Sequence, residues 1–159
     1  MNPAALIAYP QFAKLQLRPF LLQEPDLEPG VRLLEDWEFM GGLWLGEAIG
    51  FTEFLRHTAC PRELGSMSVH LSDLPGGISN AIFAALRLPL TRGMSGTEVQ
   101  AILGPPEKVH SFVPESRTYE FSVDAEDPYY VSCTIDEGEG LTYVVVIRKD
   151  ILALCETDA

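Results

Sequence analysis

Basic residues are scarce in this chain. Its 159 residues hold 11 lysines and arginines against 23 aspartates and glutamates, a formal net charge of −12. A nucleic-acid backbone or an anionic membrane repels such a chain, so neither is expected as a partner. Cysteine is scarcer still, at Cys60, Cys133 and Cys155. An odd number does not suit a disulfide framework; it reads as free thiols packed as small hydrophobes in a reducing compartment. Long apolar runs are missing too, and the longest fall far short of the ~18–20 residues that span a bilayer. Residues 1–12 lack the positive charge ahead of an apolar stretch that a secretory signal needs, and Pro10 interrupts the run that starts at Ala4. A cytoplasmic protein is expected.

The motifs that carry common chemistry are also missing. There is no Walker A loop, no G-x-G-x-x-G and no G-x-S-x-G elbow. His57 and Cys60 form H-x-x-C, but His70, His110, Cys133 and Cys155 supply no second pair, so no metal is expected. Cys133 with His70 or His110 would be a nucleophile and a base. It alternates in phase with Val131 and Ile135, however, which predicts a buried, inert thiol. The acidic runs Asp124-Ala125-Glu126-Asp127 and Asp136-Glu137-Gly138-Glu139 do not fit a calcium loop. No catalytic residue and no cofactor are expected.

What is present is ordinary for a folded domain. Apolar residues are 47% and charged residues 21% of the chain. The length suits one domain over residues 1–159. Residues 1–30 carry five prolines, and 23–30 read as a loop. Residues 13–17 alternate as a short strand would. In residues 31–45, Gly41-Gly42 between apolar runs predicts a hairpin. Residues 47–58 read as a short helix that Cys60-Pro61 ends, weakened by Gly50. Residues 66–71 alternate strictly, with Met67, Val69 and Leu71 opposite Ser66, Ser68 and His70. Residues 78–87 form an apolar stripe at helical spacing, stopped by Pro89.

Residues 95–104 carry the clearest local signal. Ser95 and Glu98 form a capping box, flanked by Met94 and Val99 as a hydrophobic staple. Gly104 suits the left-handed C-terminal position, and Pro105-Pro106 forbids continuation. Three strands follow at 117–123, 129–135 and 141–147, joined by short turns as an antiparallel meander. Alternation puts Leu141, Tyr143, Val145 and Ile147 on one face of the last strand, and Thr142, Val144 and Val146 on the other. The predicted fold is therefore α+β: an antiparallel sheet with a C-terminal three-stranded meander, preceded by two short helices and extended by N-terminal strands. Residues 1–77 form the extension and 78–148 the helix-helix-three-strand unit.

Gly93, Met94, Ser95, Glu98, Val99, Leu103, Gly104 and Pro106 spell the pattern G-M-S-x-x-E-V-x-x-x-L-G-x-P. This resembles the helix motif of the SmpA/OmlA outer-membrane lipoproteins and the related β-lactamase-inhibitor-like domains. In those proteins two helices precede a three- or four-stranded antiparallel sheet. The resemblance covers residues 78–148 and implies a module that binds other proteins. The motif residues are caps and core contacts. No lipoprotein signal or anchor cysteine is expected, and residues 1–77 have no counterpart in that resemblance.

The expected function is thus a non-enzymatic, acidic protein that binds another protein, as an inhibitor or an immunity-type protein masking a toxin or enzyme. Residues 111–159 hold three basic and eleven acidic side chains, so a partner docking near the turns at Asp136 and Glu137 is expected to be basic there. The second face of the sheet is the other candidate surface: Glu120, Tyr130, Ser132, Thr134, Val144 and Val146, a mix of hydroxyls, one aromatic and two aliphatics. Two alternatives stay open. One is a small-molecule binder or enzyme with a pocket between the N-terminal half and the sheet. The other is an oligomeric structural protein using the apolar patch at Val144 and Val146.

Overall fold

In a computed structural model of the chain, the helix at Gly96–Leu103 forms with both ends as its sequence dictates. The Ser95 hydroxyl accepts from the Glu98 amide at 3.2 Å, and the Glu98 carboxylate accepts from the Ser95 amide at 2.8 Å. Gly104 closes the helix at φ 84°, its amide bonded to the Gln100 carbonyl. Replacing Ser95 with Ala removes one arm of the box and is expected to cost about 1 kcal/mol, read as a lowered midpoint in urea with an unchanged slope.

The structure describes residues 5–13, 33–34, 42–45, 52–57, 60–72 and 76–157. Their fold is α+β, with short helices and an antiparallel sheet. The helices are α1 (Tyr9–Ala13), α2 (Gly76–Leu86), α3 (Gly96–Leu103) and α4 (Lys149–Thr157). The strands are β1 (Leu33–Leu34), β2 (Gly42–Leu45), β3 (Thr52–His57), β4 (Cys60–His70), β5 (Lys108–Val113), β6 (Ser116–Val123), β7 (Tyr129–Asp136) and β8 (Gly140–Arg148). They lie in the order β1-β2-β3-β4-β8-β7-β6-β5, with every pairing antiparallel.

One face of the sheet is the core face. Met67, Val146, Val131 and Phe121 form a row across β4, β8, β7 and β6; Val69, Val144 and Cys133 start the next. Against these rows pack Ile82, Phe83 and Leu86 of α2, Val99 and Leu103 of α3, and Phe12 of α1. The residues before α1 take part as well. Leu6 and Ile7 are buried, and the Tyr129 hydroxyl donates to the Ile7 carbonyl at 3.0 Å. Tyr9 and Phe12 both meet the Tyr129 ring edge-on.

Helix α2 ends in a Schellman arrangement. The Leu88 amide reaches the Phe83 carbonyl and the Arg87 amide the Ala84 carbonyl, with Arg87 left-handed at φ 59°. Pro89 lies beyond this end, as its sequence position predicts.

Several expectations are corrected. Residues 52–57, read as part of a helix, form β3. Phe54 and Leu55 fit either period, and the ladder to the eleven-residue strand β4 decides the outcome. Pro61 lies near the start of β4, close to register irregularities at Leu55–His57, where a missing amide is tolerated. Strands β1 and β2 pair antiparallel, as expected, but with Leu33 opposite Leu45 and with Gly42 inside β2 rather than in the turn. Gly42 joins the ladder to β3 opposite Leu55. Strand β5 and helices α1 and α4 were not anticipated. The reading of residues 14–17 as a strand lies outside the described residues, while Ala13 ends α1.

The largest correction concerns β8. Thr134 opposes Tyr143 but Ile135 opposes Leu141, so Thr142 is an extra residue on β8. Such a bulge reverses the phase of everything after it. Leu141 points into the core, yet so do Val144 and Val146, both 0% exposed. Tyr143, Val145 and Ile147 take the opposite face, where each is half-buried.

Candidate functional site

The second face of the sheet is the one turned away from the buried cluster. Three rows cross it. His110, Thr118, Thr134, Tyr143 and His70 form one, Lys108, Glu120, Ser132, Val145 and Ser68 the next, and Ser122, Tyr130, Ile147 and Ser66 the third. Tyr130 is 36% exposed, and Glu120, Ser132 and Thr134 are half-buried. Four of the residues expected there, Glu120, Tyr130, Ser132 and Thr134, are thus brought to one surface. Val144 and Val146 are not, so no apolar patch forms around them. The strict alternation of residues 66–71 sets Ser66, Ser68 and His70 opposite Met67 and Val69, which is the signal that they join this face.

Some polar groups on this face pair with one another. The Thr118 and Thr134 hydroxyls lie 3.0 Å apart. His110 Nε2 is 3.3 Å from Glu120 Oε1, and the His70 ring packs on Tyr143 at 4.3 Å between centroids. At the far end, Lys149 from the start of α4 sits 4.5 Å above the Tyr130 ring. Its ammonium donates to Asp124 Oδ1 at 2.7 Å and to the Ser122 hydroxyl. The hydrogen bond from Lys149 holds the Asp124 carboxyl below the usual carboxylate range.

The two acidic turns do not make one patch. In a meander, consecutive turns lie at opposite ends of the strands. In the turn before β7, Asp124 pairs with Lys149 and Asp127 accepts from the Tyr9 amide at 2.9 Å. In the turn before β8, Asp136 Oδ1 accepts from the amides of Gly138 and Glu139, which shapes the turn. There Glu137 and Glu139 are exposed, and the Glu137 amide bonds the Glu115 carbonyl.

Cys133 lies on the core face, across the sheet from the row holding His70 and His110, so the structure does not bring thiol and imidazole together. Burial pushes the thiol up to about 12. The same cause raises the Tyr129 hydroxyl above its ordinary value. Both groups are held neutral in the fold and ionise more readily when unfolded. Their stabilising contribution is full below pH ~9 and falls as pH rises from there toward 12. The melting temperature is therefore expected to drop above pH ~9, and less steeply in Cys133→Ala; an equal slope in the variant would contradict the assignment. The side chains of His57, Cys60 and Cys155 fall outside those described. Among the described residues no group of three or more His, Cys, Asp or Glu is placed to hold a metal ion. Among them, too, no helix is long and apolar enough to cross a membrane.

A concavity of about 410 Å³ lies at the end of α2, lined by Asn80, Phe83, Arg87, Leu88 and Leu90 among others. It is not between the N-terminal half and the sheet. Comparison of the chain with family models, with curated proteins and with solved structures finds no match.

Proposed function

We propose that this chain is a non-enzymatic protein that binds another protein through the second face of its sheet, as an inhibitor or immunity-type protein does in masking a toxin or enzyme. The observation that carries the reading is the one-sided packing. Helices and N-terminal residues cover one face, while Glu120, Ser132 and Thr134 line the other, half-buried, beside an exposed Tyr130 over which the Lys149 side chain of α4 lies. Paired hydroxyls around an aromatic, with aliphatic Val145 and Ile147 between, match the mixed polarity of protein interfaces. The buried Cys133 and the ion-paired Lys149 offer no nucleophile with a base beside it. The resemblance of residues 78–148 to inhibitor-like domains, with two helices laid before a meander, points the same way. The net charge of −12 favours a basic partner, met in the cytoplasm.

Pull-down from a lysate of the source organism tests this. The chain is expected to retain a partner at low salt, to release it at high salt, and to lose it on Ser132→Arg without a change in melting temperature. Retention of nothing at low salt contradicts the reading.

A further inference from the structure

The sheet order ends at β5, whose outer edge has no neighbouring strand among the described residues. Unpaired strand edges are templates for another strand, and proteins normally blunt them with charge, proline or bulges. Here Lys108 guards one end and a register shift lies between His110 and Val113. Yet the same six residues hold Val109, Phe112 and Val113, which are 50%, 80% and 53% exposed. The Phe112 ring stacks on His110 at 5.5 Å and is otherwise presented to solvent. Beside the far end of β5 stand exposed Glu115, Glu137 and Glu139, joined through the Glu137 amide and Glu115 carbonyl, with Arg117 as the nearby cation.

We infer that β5 is a docking edge for an extended, basic segment of a partner protein, which adds as a further strand with Phe112 as its apolar anchor and the glutamates of the adjoining turns facing its cations. Main-chain hydrogen bonds supply affinity in this mode, and side chains supply specificity. The inference rests on the reading that the chain binds a basic protein, and adds a contact at the edge to the one on the open face.

The test uses the full chain and a fluorescent octapeptide of alternating lysine and valine. Binding is expected at low salt, with amide NMR shifts confined to Lys108–Val113 and its neighbours on β6. Affinity is expected to fall at least tenfold for a fully N-methylated peptide, which cannot donate to a ladder, and for the glutamate–valine analogue. It is also expected to fall at least tenfold in Phe112→Asp, whose melting temperature should hold because the residue is exposed. Simple charge attraction predicts the reverse for Phe112→Asp, since the substitution adds a negative charge. Equal or tighter binding by that variant overturns the inference, as does equal binding of the methylated peptide or shifts centred on Tyr130–Thr134. A chain dimer that dissociates on Phe112→Asp, seen by light scattering, places a second copy on the edge and also overturns it. No peptide binding overturns the inference, while a partner retained in the pull-down but lost on Ser132→Arg leaves the open-face reading standing.

Discussion

Replacing Val146 with Asp is expected to remove much of the protein's stability at 25 °C, whereas Ser132→Asp is expected to shift its melting temperature by little. Val146 is 0% exposed and is flanked on the core face by Met67 and Val131. A carboxylate there has no partner in the row and must either stay charged in an apolar site or take up a proton. The cost is about 4 kcal/mol or more, much of the ~5–15 kcal/mol that holds a typical domain together. Ser132 sits one residue from Cys133 on the same strand but points the other way, half-exposed. Circular dichroism during urea titration separates the two. A tolerated Val146→Asp with a damaging Val145→Asp would restore the unbulged phase of β8.

The second large effect is expected at Gly140, which opens β8 at φ 74° and lies against the backbone of Gly93, itself at φ 89°. The Gly93 amide donates to the Leu141 carbonyl, and the Leu141 amide donates to the Met94 carbonyl. The segment entering α3 is therefore stitched to the start of β8, and a Cβ on Gly140 would overlap the Gly93 carbonyl. Gly140→Ala combines left-handed strain with a backbone clash, an expected loss of about 2–5 kcal/mol. Gly138→Ala, two residues earlier, meets only the Asp136 carboxylate at 3.5 Å and is expected to cost under about 1 kcal/mol. Equal losses at the two positions would show that the close approach does not form.

These two sites explain how much of the fold was legible in the sequence. The ends of α3 are written in local chemistry, a hydroxyl and a carboxylate three residues apart and a glycine before two prolines, so they could be read without the rest of the chain. The strands at 117–123 and 129–135 alternate clearly and lie within a residue of β6 and β7. The phase of β8 was not legible. Val144, Val145 and Val146 satisfy either face, and the bulge at Thr142 lies next to the Gly93–Gly140 approach, a contact distant in sequence. Strand β5 escaped notice because Val109 and Phe112 are both exposed and neither period marks a buried face. Residues 52–57 read as helix because their apolar spacing is ambiguous until β4 is beside them.

The candidate surface was legible to the same degree. Tyr130, Ser132 and Thr134 follow from the alternation of β7 alone. Val144 and Val146 were misassigned through the single extra residue in β8, and Lys149 over Tyr130 required knowing that β8 runs directly into α4. The acidic turns look equivalent in sequence, but only the fold separates them, one tied to Lys149 and the Tyr9 amide and the other left beside an apolar edge.

The claim on which the functional reading stands is that the sheet is open on the face of Tyr130 and Ser132. Maleimide labelling of a Ser132→Cys chain that retains Cys133 and carries Cys60→Ser and Cys155→Ser measures this directly, with modification at the two adjacent positions resolved by peptide mass. The account predicts rapid labelling at position 132 and labelling of Cys133 only on unfolding, because that thiol is buried and raised to about 12. Protection of position 132 equal to that of Cys133 in the folded chain would mean that the face is covered, and would contradict the account.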